Sequence, residues 1–433
     1  MMITDHVDDL KQRSDHQSCL MDAIRTGDLA QVKRCCQGLS NLDFFDEQGR
    51  SPLHYAAQHG HVEVITFLIK HWRVAVDQVD RFGMSALHVA SAHGHLPAVE
   101  QLVDLGATLD HCSYEGVLPL HCASVFGHKD VVEFFVDQCG MGVDVSEGES
   151  GTPIQLAVQF GWLELVRYLY DKQADLSIKN SDGHSLLSVA VQEGRFDVVE
   201  YLVSKGFALN VQYGGATGGH SGNDADGESL AHIAVDFDLC RQDYQILSKD
   251  GFMTTYALPE PQNKVMDVTD TIKTITYLHD RGVKFDVEDE YGYRPLHLVS
   301  GRNCVDLIDC LVNHCQVSAD VMSGSGLTAL HIAAKNGCLD SVRYLIERCD
   351  VHPQTLDQSL GRNALDIAVR SGHVSLAYYL SVLSPEPVSP VAIDRQSSEY
   401  HAGHDFVGCD QALGKRLSDS QQIMDNADVY RLL

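Results

Sequence analysis

Apolar residues return along this chain at two fixed distances. One set is Leu20, Leu53, Leu87, Leu120, Ile154, Leu187, Ala231, Leu296, Leu330 and Leu365, and most successive steps are 33, 34 or 35 residues. A second apolar residue follows most of these by 15 positions: Leu68, Leu102, Phe135, Leu169, Leu202, Leu311, Leu345 and Leu380. The two apolar stretches of a unit are separated by Gly60, Gly94, Gly127, Gly161, Gly194, Gly337 or Gly372, with Asn303 in one copy. Glycine enters the left-handed region without steric cost and Asn tolerates it, so each unit predicts two short helices with a break between them. Pro52, Pro119, Pro153 and Pro295 fall at the first turn of the first helix, where a missing N–H costs little. One such pair cannot bury its apolar side alone. Neighbouring units must therefore stack into a continuous core.

The first helix of each unit opens with the same words. Gly49-Arg50-Ser51-Pro52-Leu53-His54-Tyr55-Ala56-Ala57 is matched by Gly83-Met84-Ser85-Ala86-Leu87-His88-Val89-Ala90 and Gly116-Val117-Leu118-Pro119-Leu120-His121-Cys122-Ala123. Gly292-Tyr293-Arg294-Pro295-Leu296-His297 and Gly326-Leu327-Thr328-Ala329-Leu330-His331-Ile332-Ala333-Ala334 continue the series. The pattern resembles the ankyrin repeat, with its Thr-Pro-Leu-His-x-Ala signature, over about residues 17–383. The resemblance implies an all-α solenoid of about ten stacked helix pairs, each preceded by a β-turn finger.

Two steps are too long. Leu187 to Ala231 is 44 residues, with a Gly-rich insertion at 211–225. Ala231 to Leu296 is 65 residues, with a Pro-containing loop insertion at 239–271, after which Thr274 to Asp286 reads as the second helix of repeat seven. The expected organisation is an N-terminal segment at 1–16, repeats one to six at 17–210, the 211–225 insertion, repeats seven to ten at 226–383, and a flexible polar tail at 384–433. In that tail Ser384-Pro385-Glu386-Pro387 cannot continue a helix.

Charge narrows the function. Lys and Arg number 32 against 60 Asp and Glu, a formal charge of -28. Such a chain repels polyphosphate, which argues against nucleic acid and for a basic protein partner. No apolar run approaches a membrane span, and the first residues lack a basic and apolar leader. The 13 Cys are odd in number and mostly sit in apolar helical patterns, so reduced thiols and a cytoplasmic location are expected.

Candidate chemistry is thin. His54, His88, His121, His232, His297 and His331 recur one per repeat, too far apart to meet at one ion, and read as hydrogen-bonded struts between fingers. His59-Gly60-His61 and His93-Gly94-His95 flank helix breaks and do not read as metal sites. Cys35-Cys36 lacks a C-x-x-C spacing, and Cys310 reads as core. The glycines near Gly214 lack the Lys-Ser/Thr of a phosphate loop. No catalytic signature appears, and no segment outside the repeats is long enough for an ordinary catalytic domain. No enzyme, metal, catalytic residue or cofactor is expected.

A surface remains. The ankyrin resemblance implies that finger tips and first-helix ends line a concave face that grips proteins. Transferred by register, the candidates are Phe82, Met84, His93, Tyr114, Glu115, Val117, Phe126 and Phe160, with Tyr291 and Tyr293 as a second patch. Their apolar and aromatic character at positions expected to face solvent points to partner binding. The resemblance also makes Asn210, eight residues after Leu202, a candidate for asparaginyl hydroxylation. The function expected is a monomeric, non-catalytic adaptor or scaffold. The alternatives are an effector delivered into a host cell, or a regulatory or substrate subunit of a modifying enzyme.

Overall fold

In the computed structural model of the chain, residues 17–37, 39, 41–146, 151–180, 183–209, 229–235, 268–289 and 291–383 are described. Each register unit folds as two short helices. Repeat one has α1 (17–26) and α2 (Leu29–Cys36); repeat two has α3 (Pro52–Gln58) and α4 (Val62–Trp72). Then come α5 (Ala86–Ala92) with α6 (Leu96–Asp104), α7 (Pro119–Val125) with α8 (Lys129–Glu133), α9 (Pro153–Phe160) with α10 (Leu163–Asp171), and α11 (Leu186–Gln192) with α12 (Phe196–Ser204). Repeat seven has α13 (Leu230–Ile233) and α14 (Val268–Asp280), followed by α15 (Pro295–Ser300) with α16 (Val305–Asp309). The last pairs are α17 (Ala329–Lys335) with α18 (Leu339–Glu347), and α19 (Ala364–Arg370) with α20 (Val374–Leu383). α8 and α16 each run on into one π-helical turn, Phe134–Gln138 and Cys310–His314. Among the described residues the β structure is limited to isolated bridges at Val79–Ser85 and Met322–Thr328.

The described residues fall into two compact units, one reaching Ala208 and one holding 229–235 and the chain from Thr271. Both cores follow the register. Leu53, Leu120, Ile154 and Leu330 have no exposed surface, and neither do Leu68, Leu102, Phe135, Leu169, Leu202, Leu311 and Leu345. Every expected break takes the left-handed conformation, including Asn303 at φ 59°.

One boundary moves. α14 begins at Val268, inside the loop expected at 239–271, and ends at Asp280, short of the expected Asp286. Asp270 and Thr271 are buried. The helix stops because Gly282 takes φ 94° and Val283 N–H bonds back to Leu278 O at 3.1 Å, closing a left-handed helix end. The 1–16 segment, the 211–225 insertion, residues 239–267, Asn210 and the 384–433 tail lie outside the described residues.

Two sets of side-chain bonds tie neighbouring repeats. The first runs forward. In repeat two, His54 Nδ1 accepts from Ser51 N–H at 3.1 Å, and Nε2 donates to Met84 O of repeat three at 3.0 Å. His88 reaches Val117 O, His121 reaches Val145 O, His232 reaches Tyr293 O, His297 reaches Val321 O and His331 reaches Thr355 O, all at 2.9 or 3.0 Å. The imidazole therefore caps its own helix on one side and holds the next repeat on the other. This arrangement needs a neutral ring, protonated on Nε2 and bare on Nδ1.

The second set runs backward from the residue just after the break. His61 donates to Arg25 O, His95 to Gln58 O, His128 to Ala92 O, Trp162 to Val125 O, Arg195 to Gln159 O and His373 to Lys335 O, at 2.7 to 3.0 Å. Each of these side chains lies on the break glycine of the preceding repeat. A Cβ on Gly60 would sit 2.8 Å from the His95 ring, and one on Gly127 would overlap the Trp162 ring.

Two tests follow. Leu120→Ala should cost about 2–5 kcal/mol, because a fully buried Leu leaves a cavity that neighbours fill only in part. A urea-melt shift below about 0.5 kcal/mol would remove Leu120 from the core. The second test concerns pH. Burial pushes the His54, His88, His297 and His331 imidazoles down, His88 to about 3. An unfolded imidazole takes a proton below about pH 6.5, while the buried ring takes none until far lower. Stability is thus present above pH 6.5 and is lost progressively as pH falls from there towards 3. Between pH 7.5 and 5.5 the parent should lose about 1.4 kcal/mol more than His88→Gln, measured by urea melts. Equal losses would mean that the ring is not held neutral.

Candidate functional site

The fingers are small turns built on one polar side chain each. Asp46 Oδ1 accepts from Gln48 N and Arg50 N; Asp80 Oδ1 accepts from Phe82 N and Met84 N; Asp289 Oδ1 accepts from Tyr293 N. Ser113 and Ser323 use Oγ in the same way, towards Val117 N and Leu327 N. These short side chains replace the backbone partners that a turn lacks. Successive fingers are then joined by main-chain bonds. Arg81 N donates to Gln48 O and Tyr114 N to Phe82 O; in the other unit Gly324 N donates to Gly292 O and Gln358 N to Gly326 O, at 2.9 to 3.1 Å. Finger tips are consequently held in register, and what each presents to solvent is set by its place in the turn.

That geometry sorts the candidate residues. Tyr114 is 73% exposed and Tyr291 59%. Glu115 is exposed, and His93, Phe160 and Tyr293 are half-buried. Phe82, Met84, Val117 and Phe126 are instead buried, which corrects the expectation that they face solvent. Met84 and Val117 directly follow a finger glycine and hand their carbonyls to His54 and His88 of the preceding repeat. That bond draws the residue into the stack, side chain included. Phe82 lies beneath the Arg81 guanidinium, 4.8 Å from its ring centroid, and gives its carbonyl to Tyr114. Phe126 stacks against His128 at 6.4 Å, the ring that reaches back to Ala92. Of the aromatic candidates in the first patch, Tyr114 alone is exposed at a tip, with Phe160 partly open. Asn210 is outside the described residues.

Other exposed apolar side chains escaped the sequence reading. Phe45, Leu356 and Leu360 project from finger segments, and Val374, Tyr378 and Val382 form one stripe along α20. Leu339, Arg343, Val374, Tyr378, Tyr379 and Val382 line a groove between α18 and α20. The signal for the α20 stripe was present as an i, i+4, i+8 apolar series in repeat ten.

In each His-x-His pair the second ring is a strut. His61 and His95 belong to the backward set, stacked 5.9 and 6.0 Å from His59 and His93. Among the described residues no three His, Cys, Asp or Glu side chains gather as metal ligands would, and no helix is long and apolar enough to cross a membrane. Cys122 and Cys310 are buried core residues. The arrangement presents rigid finger tips and half-open ring edges, which suit contact with another macromolecule's surface.

The comparisons with known proteins agree with this geometry. A family model described as ankyrin repeats, in three copies, matches residues 2–77, 73–147, 139–213, 267–357 and 317–386. An ankyrin repeat protein of Rickettsia felis is 25% identical over 164 residues, 38% of this chain and 41% of that protein. This chain thus spans less than half the length of the relative it matches. The family model covers most of the chain, which belongs to the ankyrin-repeat family, a family of protein-interaction modules.

Proposed function

We propose that the protein is a non-catalytic adaptor that holds a protein partner against the side its fingers line, acting as a monomer in the cytoplasm. The observation that carries the reading is Tyr114. Its ring is 73% exposed, yet its backbone is bonded to Phe82 O and its ring packs on Gly83. A large aromatic already held in place loses little freedom on binding, which is the property of an interface anchor. Glu115 stands exposed beside it on a chain of charge -28, so the complementary surface is a basic rim around an apolar pocket.

The partner can be trapped with a photo-crosslinking amino acid at position 114 in cells, and its affinity then measured by titration calorimetry. Tyr114→Ala should weaken binding about 30-fold, the equivalent of a 2 kcal/mol hot spot, with little change in melting temperature because the ring is exposed. Glu115→Gln should mainly slow association and flatten its salt dependence. Parent-like binding by Tyr114→Ala would refute the finger-tip reading.

A further inference from the structure

Repeat one is tied differently from its neighbours. Met21 stands where His54 and His88 stand in repeats two and three, so it has no imidazole to reach forward. A backward bond does reach it, from His61 Nε2 to Arg25 O at 3.0 Å. Within the repeat, thiols bridge the helices. Cys19 Sγ on α1 lies 2.7 Å from Cys35 Sγ on α2, and Gln31 Nε2 donates to both, at 3.5 and 3.7 Å. Cys19 is exposed and Cys35 is buried.

We propose that Cys19 and Cys35 form a thiol-modification site, a pair that closes an intramolecular disulfide with a low-molecular-weight disulfide such as oxidised glutathione. Exposed Cys19 meets the reagent first. Its thiol gives up a proton, and the thiolate attacks one sulfur of the reagent, forming a mixed disulfide and releasing one small thiolate. Cys35 then loses its proton and attacks Cys19 Sγ, expelling the second small thiolate. The two released protons leave the small molecule as two thiols. Two electrons pass from the protein pair to the reagent, and one S–S bond replaces another. Burial and the Cys19 neighbour push the Cys35 thiol up to about 11, so little of it is thiolate at neutral pH and the second, resolving step is faster at higher pH. Cys310 and Cys315 also pair thiol to thiol, but both are buried and neither is open to a reagent.

The bond would fasten α1 to α2 in a repeat that lacks the forward strut, so oxidation would suppress local opening of that helix pair. The test uses the full chain. Incubation with oxidised glutathione, alkylation of the remaining thiols and tandem mass spectrometry should show a Cys19–Cys35 cross-link forming before any other, with two thiols lost. Cys19→Ser, a surface change that leaves packing intact, should abolish it. Hydrogen exchange over 17–36 should slow about tenfold or more on oxidation, and exchange over 329–383 should stay unchanged. A stable glutathione adduct on Cys19 with Cys35 still alkylated would overturn the proposal, as would a cross-link to Cys36 instead. Unchanged exchange over 17–36 in the cross-linked chain would overturn the fastening.

Discussion

A neutral imidazole, buried and bonded on both edges, is the contact on which the stack depends. His88 shows the balance. Its Nδ1 relieves a helix end of an unsatisfied N–H, and its Nε2 adds a second bond to Val117 O of the next finger, which already accepts from Ser113 N. The helix-end N–H, if buried and unpaired, would cost on the order of 1–3 kcal/mol. One ring thus closes a short helix and holds the turn of the next repeat. A charged ring would have no lone pair for the first bond and would be costly to bury. The same side chain that joins repeats therefore makes their joining sensitive to acid.

Repeats without the imidazole show what it replaces. In repeat five Gln155 Oε1 accepts from Thr152 N at 2.9 Å, and in repeat ten Asn363 and Asp366 cap one another. These side chains close the helix end, but they are shorter or lack the second donor in the right place. The cap is conserved in chemistry across those repeats, while the forward strut belongs to the histidine copies.

Much of this was legible in the sequence. The register of Leu53, Leu87 and Leu120 located the core, and the once-per-repeat histidine located the struts. Asn303 was recognisable as a stand-in for glycine. The finger residues were harder. Met84 and Val117 look like solvent-facing apolar residues when counted from the turn glycine. Their inward direction comes from a bond made by a histidine about thirty residues earlier, which local pattern cannot supply. The backward set was visible in principle, since His61, His95, His128, Trp162, Arg195 and His373 all directly follow a break glycine. Taken two at a time as His-x-His they resemble metal ligands, and only the full alignment of repeats gives them one shared role. α14 was shifted because its start lacks the Pro or glycine landmarks that frame the other helices.

The backward set also constrains how such a chain can change. Gly60, Gly94, Gly127, Gly161 and Gly337 each receive a ring or guanidinium from the following repeat, as Gly127 receives Trp162 and Gly161 receives Arg195. The glycine of such a pair cannot vary alone, because a Cβ there meets the incoming side chain at under 3 Å, whereas the incoming residue is His, Trp or Arg. Each of repeats two to five, however, carries one outgoing side chain and one receiving glycine. Duplicating or deleting one complete unit leaves every bond of the series with a partner, whereas a cut within a unit leaves a donor facing the wrong neighbour. Array length is free to drift by whole units, and the unit itself is not.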